Sequence, residues 1–284
     1  ETEETEETVE TGDTGTSGKV VCTGNFSVSQ NEDLTELAGC TLLDGNLWIS
    51  GGSSDGESIS NLDALTELTE VTGNVAIDNA PNLANLDGLF GLTSVGEDLI
   101  IRENPSLTNI DGLAKLTKVG GDVIVYVNDT LANLDGFASL TSTGRSLSVY
   151  ANFSLVHIDG LTSLEDVGDD LVIMGNASLI HVDGLAGLKS VADEFSIAGN
   201  PELIRVDGLS NLAGVGNLMA FANNNSLTRI DGLTNLINGT DLEIIIFYNA
   251  ALTSIDGFSS LTEVSLVQID GNNSLENVDG LSNL

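Results

Sequence analysis

The stretch Asn104–Val125, NPSLTNIDGLAKLTKVGGDVIV, decides the fold. It carries an Asp-Gly pair, a Gly-Gly pair and apolar residues whose spacing fits neither one helix nor one alternating strand. The conflict resolves once the same text is found along the chain. Aspartates stand at Asp63, Asp87, Asp111, Asp135, Asp159, Asp183, Asp207 and Asp231, each 24 residues after the last. Asp256 and Asp279 follow at intervals of 25 and 23, and Gly follows Asp everywhere except at Ala64. A fixed period of this length marks a stacked repeat array, in which each unit buries its apolar face only against its neighbours.

Within one period, a short segment of period two supplies a strand. Its inward pairs run Leu47/Ile49, Val75/Ile77, Leu99/Ile101, Val123/Val125, Leu147/Val149, Leu171/Ile173, Phe195/Ile197, Met219/Phe221, Ile244/Ile246 and Val267/Ile269. Leu107, Ile110, Leu113 and Leu116 would fill the core from the return path. The expected fold is a right-handed parallel β-helix of leucine-rich-repeat type, with about ten coils of ~24 residues and one main parallel sheet. Asp-Gly-Leu reads as the N-cap of a helical or 3₁₀ turn, the carboxylate accepting backbone N–H groups.

Seven residues before the Asp stands an amide in eight successive repeats: Asn104, Asn128, Asn152, Asn176, Asn200, Asn224, Asn249 and Asn272. An amide both donates and accepts, so a buried column can satisfy the turn backbone and link coils. The column breaks at Ala80, so it is expected to begin only after the first coils. Five of seven N-x-S/T sequons fall on this column and are discounted as glycan sites, leaving Asn25 and Asn238.

The 43 acidic residues against 8 basic give a formal charge of −35. That excludes nucleic-acid partners, which need clustered Lys and Arg, and disfavours anionic membranes. No apolar run is long enough to enter a bilayer as a helix. Residues 1–18 are acidic and Thr-rich and read as a disordered spacer. Residues 19–62 form an N-terminal cap and first coil, and 63–284 the repeat array. Two cysteines, Cys22 and Cys40, suggest one disulfide and an oxidising compartment; two buried thiols are the alternative.

The N-terminal text VCTGNFSVSQNEDLTELAGCTLLDGNLWIS, residues 21–50, resembles the opening of the receptor L domain of the insulin and epidermal growth factor receptor families. The matching residues are Cys22, Gly24, Cys40 and the run Gly45-Asn46-Leu47-Trp48-Ile49. The resemblance implies a Cys22–Cys40 disulfide closing the first coil. The Leu-Asp-Gly-Leu repeats resemble long arrays in secreted bacterial proteins and fungal cell-wall glycoproteins of the same superfamily. No Cys-rich module follows, so no growth-factor contact carries over.

No catalytic constellation stands out, and the chain reads as no enzyme. His157 and His181 occupy one repeat position and read as exposed turn residues. No cofactor is expected; calcium along the Asp-Gly row is the alternative. The outward strand positions hold Trp48, Ile100, Ile124, Val172 and Ile245. Just after the strands lie Arg102, Tyr126, Tyr150, Met174 and Phe247. Ahead of them runs an acidic row of Asp98, Asp122, Asp170, Glu194 and Glu243. The candidate ligand face is therefore Arg102, Ile124, Tyr126, Tyr150, Val172, Met174 and Phe247, with Arg102 at the edge of a Tyr126–Tyr150–Met174 patch. The expected function is a secreted or cell-surface recognition or adhesion module for an extracellular protein or glycan. The alternative is a structural subunit of a fibre or surface layer, associating end to end through its last rungs.

Overall fold

The computed structural model describes residues 18–51, 58–237 and 241–284. Apart from Gly18, the spacer expected at 1–18 lies outside these residues, and so does Asn238.

Over the described residues the chain winds as a parallel solenoid with two sheets, where the sequence reading expected one main sheet. The larger has eleven strands, from Phe26–Val28 to Leu266–Asp270. The smaller has nine, from Val21–Thr23 to Gly214–Val215. Most of its strands have two residues, such as Ser94–Val95 and Lys118–Val119. Each contributes one inward side chain, so no alternation announced it. A short 3₁₀ turn such as Asp111–Leu113 follows further along most coils, and the coil at Asp231 has a plain turn there.

Register is strict. Val123 pairs with Leu99 and Leu147, and Val125 with Ile101 and Val149, so like side chains stack. These inward residues are fully buried, together with Leu107, Ile110, Leu113 and Leu116 from the return path. Truncating one such Leu to Ala costs about 2–5 kcal/mol. Thr143 is the polar member of the small sheet's buried row, and its hydroxyl donates to Arg145 O at 2.8 Å.

The Asp-Gly pair behaves differently from the expected cap. Asp111 is the first residue of the 3₁₀ turn, and no side chain caps that turn's start from the residue before it. Instead the Asp111 backbone N–H donates to Asn109 Oδ1 at 3.2 Å, and Asp87 and Asp135 bond Asn85 and Asn133 likewise. The N–H groups that an Asp cap would accept, those of Leu113 and Ala114, bond Ile110 O at 2.9 Å and Asp111 O at 3.0 Å instead, and the Asp111 carboxylate is left exposed. The Gly has a packing cause. A Cβ on Gly112 would collide with the Leu86 carbonyl of the preceding coil, and the same holds at Gly136 against Ile110. Ala64 follows the longer 3₁₀ segment Asn31–Leu37, so its neighbour differs from every other.

Cys22 and Cys40 form a disulfide with Cα atoms 5.9 Å apart. It ties the first strand of the small sheet to the end of the Asn31–Leu37 segment.

Candidate functional site

The open face of the large sheet carries the outward residues in straight rows. One row runs Ser50, Asp78, Arg102, Tyr126, Tyr150, Met174, Ala198, Ala222, Phe247 and Asp270 in consecutive register. Beside it runs Trp48, Ala76, Ile100, Ile124, Ser148 and Val172. The Tyr126 and Tyr150 rings stack with centroids 4.3 Å apart and planes at 26°. Met174 follows on the next strand, 47% exposed. Ile124 and Val172 lie half-buried in the adjoining row.

Two residues of the expected patch stand apart from it. Arg102 is next to Tyr126 in register, but its guanidinium turns the other way, to Asp78 Oδ2 at 2.5 Å. That hydrogen bond and the Asp78 charge hold the guanidinium even more firmly protonated than usual. Phe247 is separated from Met174 by Ala198 and Ala222 and packs near Tyr248, ring centroids 6.0 Å apart.

The amide column lies directly behind this face. Asn104, Asn128, Asn152, Asn176, Asn200, Asn224 and Asn249 are fully buried. Each donates to a strand carbonyl of the preceding coil and accepts a backbone N–H from that coil, and Asn128, Asn152 and Asn200 also bond the carbonyl two residues back. Asn152 Nδ2 donates to Val125 O at 2.9 Å and Tyr150 O at 3.1 Å, while its Oδ1 accepts the Asn128 backbone N–H at 3.0 Å. Asn272 closes the series, accepting from Asn249. At the other end Ala80 N donates to Asn104 Oδ1 at 2.9 Å, so a residue without a side-chain amide still gives the column its first bond. The residue before each amide has positive φ: Gly at 175, 199 and 271, but Glu103, Val127, Ala151, Asn223 and Tyr248 elsewhere. The tight turn out of the strand thus fixes the backbone under the tyrosines.

A second ladder at the strand entrance escaped the sequence reading. Asn25 Oδ1 accepts from Asn46 N, Asn46 Oδ1 from Asn74 N, Asn74 Oδ1 from Asp98 N, and Asp98 Oδ1 from Asp122 N. It continues through Ser146 and Asp170 to Glu194. Much of the acidic row is therefore also structural. The mixture of Asn, Asp and Ser hid it; the shared role is a short side-chain acceptor. Arg145 bridges Asp98 at 2.5 Å and Asp122 at 3.3 Å, and the Asp98 bond then the Asp122 charge hold it protonated. Asn25 is exposed, with Oδ1 engaged by Asn46 and no further donor partner among the described residues.

The histidines are half-buried, not exposed. Asp159 lies between them, 3.5 Å from His157 Nδ1 and 3.7 Å from His181 Nδ1. Arg205 continues the alternation by pairing with Asp183 at 2.6 Å. Among the described residues, only Asp169, Asp170 and Asp193 bring ligand oxygens within 4.8 Å of one another as a group of three. They sit at the strand entrance, away from the Asp-Gly row. No helix among the described residues is long and apolar enough to cross a membrane.

No curated protein matches the chain. Among solved structures, the functional domain of InlJ from Listeria monocytogenes is 13% identical, covering 92% of this chain and 67% of its own, with a TM-score of 0.32. A leucine-rich repeat protein from Bacteroides ovatus is 12% identical, covering 98% and 94%, with a TM-score of 0.19. TLR13 in its complex with ssRNA13 is 13% identical, covering 84% and 55%, with a TM-score of 0.18. Residues 39–111, from just before Cys40 to the Asp of the opening repeat, match the Receptor L domain family.

Proposed function

We propose that the chain is a secreted or surface-displayed recognition module, without enzymatic activity, that binds a basic protein segment on the open strand face. One observation carries the reading: Tyr126 and Tyr150 stack at 4.3 Å on adjacent strands with Met174 on the next, all on the side turned away from the core. Tyr supplies large contact area at low entropic cost, and Met adapts to a partner's shape. The disulfide and the Receptor L domain match support an extracellular setting. The net charge of −35 and the acidic strand entrance favour a cationic partner, whose association would slow as salt rises.

Selection of displayed random peptides against the intact chain tests this reading. Recovered binders are expected to be rich in Arg and Lys and to bind at least tenfold more weakly to a Tyr126→Ala/Tyr150→Ala variant. Binders indifferent to both tyrosines would refute it.

A further inference from the structure

The open face holds a second feature, nearer the N-terminus. Trp48, Ser50, Ala76, Asp78, Ile100 and Arg102 line an open hollow of about 340 Å³. Its size falls at the lower end of the ~300–1,000 Å³ range of small-molecule sites. The floor is low because Ala76 stands in register between Trp48 and Ile100. Ser27, the neighbour on the other side of Trp48, is also small. The indole is 41% exposed, and no aromatic ring or cation covers it among the described residues. A flat apolar platform is thus left beside a polar wall. In that wall Asp78 only accepts and Arg102 only donates, and their 2.5 Å bond fixes both groups. The two charges cancel locally, in a chain that otherwise repels anions.

We propose that this hollow binds a neutral pyranose ring, its C–H face stacked on Trp48 and its hydroxyls on Asp78 and Arg102. Hydroxyls both donate and accept, so adjacent ones satisfy an acid–base pair that a purely cationic or anionic ligand would leave half unmatched. The apolar face of the ring meets the indole. The hollow borders the tyrosine pair at Arg102 but contains neither tyrosine, and it does not depend on their role.

Trp48 is the sole tryptophan of the chain, so its emission and its single indole N–H resonance report on this hollow alone. The intact chain should be titrated with methyl glycosides of glucose, galactose, mannose and N-acetylglucosamine and with their neutral tetrasaccharides. A saturable change with at least one probe is expected. It should weaken more than tenfold in Ala76→Leu, which fills the floor, and stay unchanged in Tyr126→Ala/Tyr150→Ala. Trp48→Ala, on the open face, checks the same loss by calorimetry should the Leu variant fail to fold. The proposal is overturned if no probe acts at ~10 mM, where a ~1 mM dissociation constant would give near-saturation. It is equally overturned if Ala76→Leu or Trp48→Ala binds as tightly as the parent, or if octa-arginine and none of the sugars perturbs Trp48.

Discussion

At the scale of single residues, the turn after each strand sets two requirements that the sequence meets unequally. The amide is met without exception from Asn104 to Asn272, and it is buried in all but the last. Asn152→Ala would strip Val125 O, Tyr150 O and the Asn128 N–H of their partner, at about 1–3 kcal/mol for each group left unpaired and buried. A loss of that order in urea midpoint checks it. The left-handed position before the amide is met by Gly175 but only under strain by Val127, a β-branched residue at φ 51°. Such strain costs about 1–3 kcal/mol, against about 0.5–1 kcal/mol for the extra chain freedom of Gly. Val127→Gly is therefore expected to stabilise the protein modestly, and Gly175→Val to destabilise it, both read from denaturant midpoints. Asp33 supplies a pH dependence. Its Oδ2 accepts from Ser29 N at 2.7 Å and Gln30 N at 3.1 Å, and the Ser29 bond foremost pulls its carboxyl below the usual range. A lowered folded value contributes stability that is complete above the ordinary Asp pKa of about 3.9 and vanishes as pH falls through the lowered value. The thermal-midpoint advantage of the parent over Asp33→Asn should thus grow from low pH upward and level off above about 4–5.

At the scale of elements, what was legible depended on how many residues each element spends on the core. From Leu47–Ser50 to Glu243–Phe247 the long strands bury two residues each, and their pairs could be read from the sequence; the predicted end pair Val267/Ile269 is only half-buried. The two-residue strands bury one, so the second sheet was not. The Asp-Gly turn could be located, but its chemistry was misassigned. Asp looks like a cap, yet the structural acceptor is Asn109 or its equivalent, and glycine serves the approach of Leu86 O to its own coil. Gly112→Ala should cost about 1–3 kcal/mol, as overpacking does, whereas Gly214→Ala, which has open space around its Cβ, should stay within about 0.5 kcal/mol. Parallel chemical denaturation of the two variants checks the contrast. The direction of Arg102 was not legible either. Register puts it equally close to Asp78 and Tyr126, and charge decides for Asp78.

At the scale of the whole molecule, stacked coils spread one core along an axis, and the Cys22–Cys40 bridge secures one end. The bridged residues are 18 apart in sequence, and a loop of that size is worth about 3 kcal/mol. Reduction should lower the denaturant midpoint accordingly, with the change absent in a Cys22→Ser/Cys40→Ser variant. The regular scaffold leaves its outward positions free to vary, and the account rests on the tyrosines placed there. The most direct test is the affinity of a selected basic peptide, by calorimetry, for the parent, for Tyr126→Ala/Tyr150→Ala and for Val156→Ala/Ile180→Ala, whose exposed side chains lie away from the strand face. The account predicts at least a tenfold loss for the tyrosine pair and none for the control, all three proteins sharing one unfolding midpoint. Equal affinity of the parent and the tyrosine variant would contradict it.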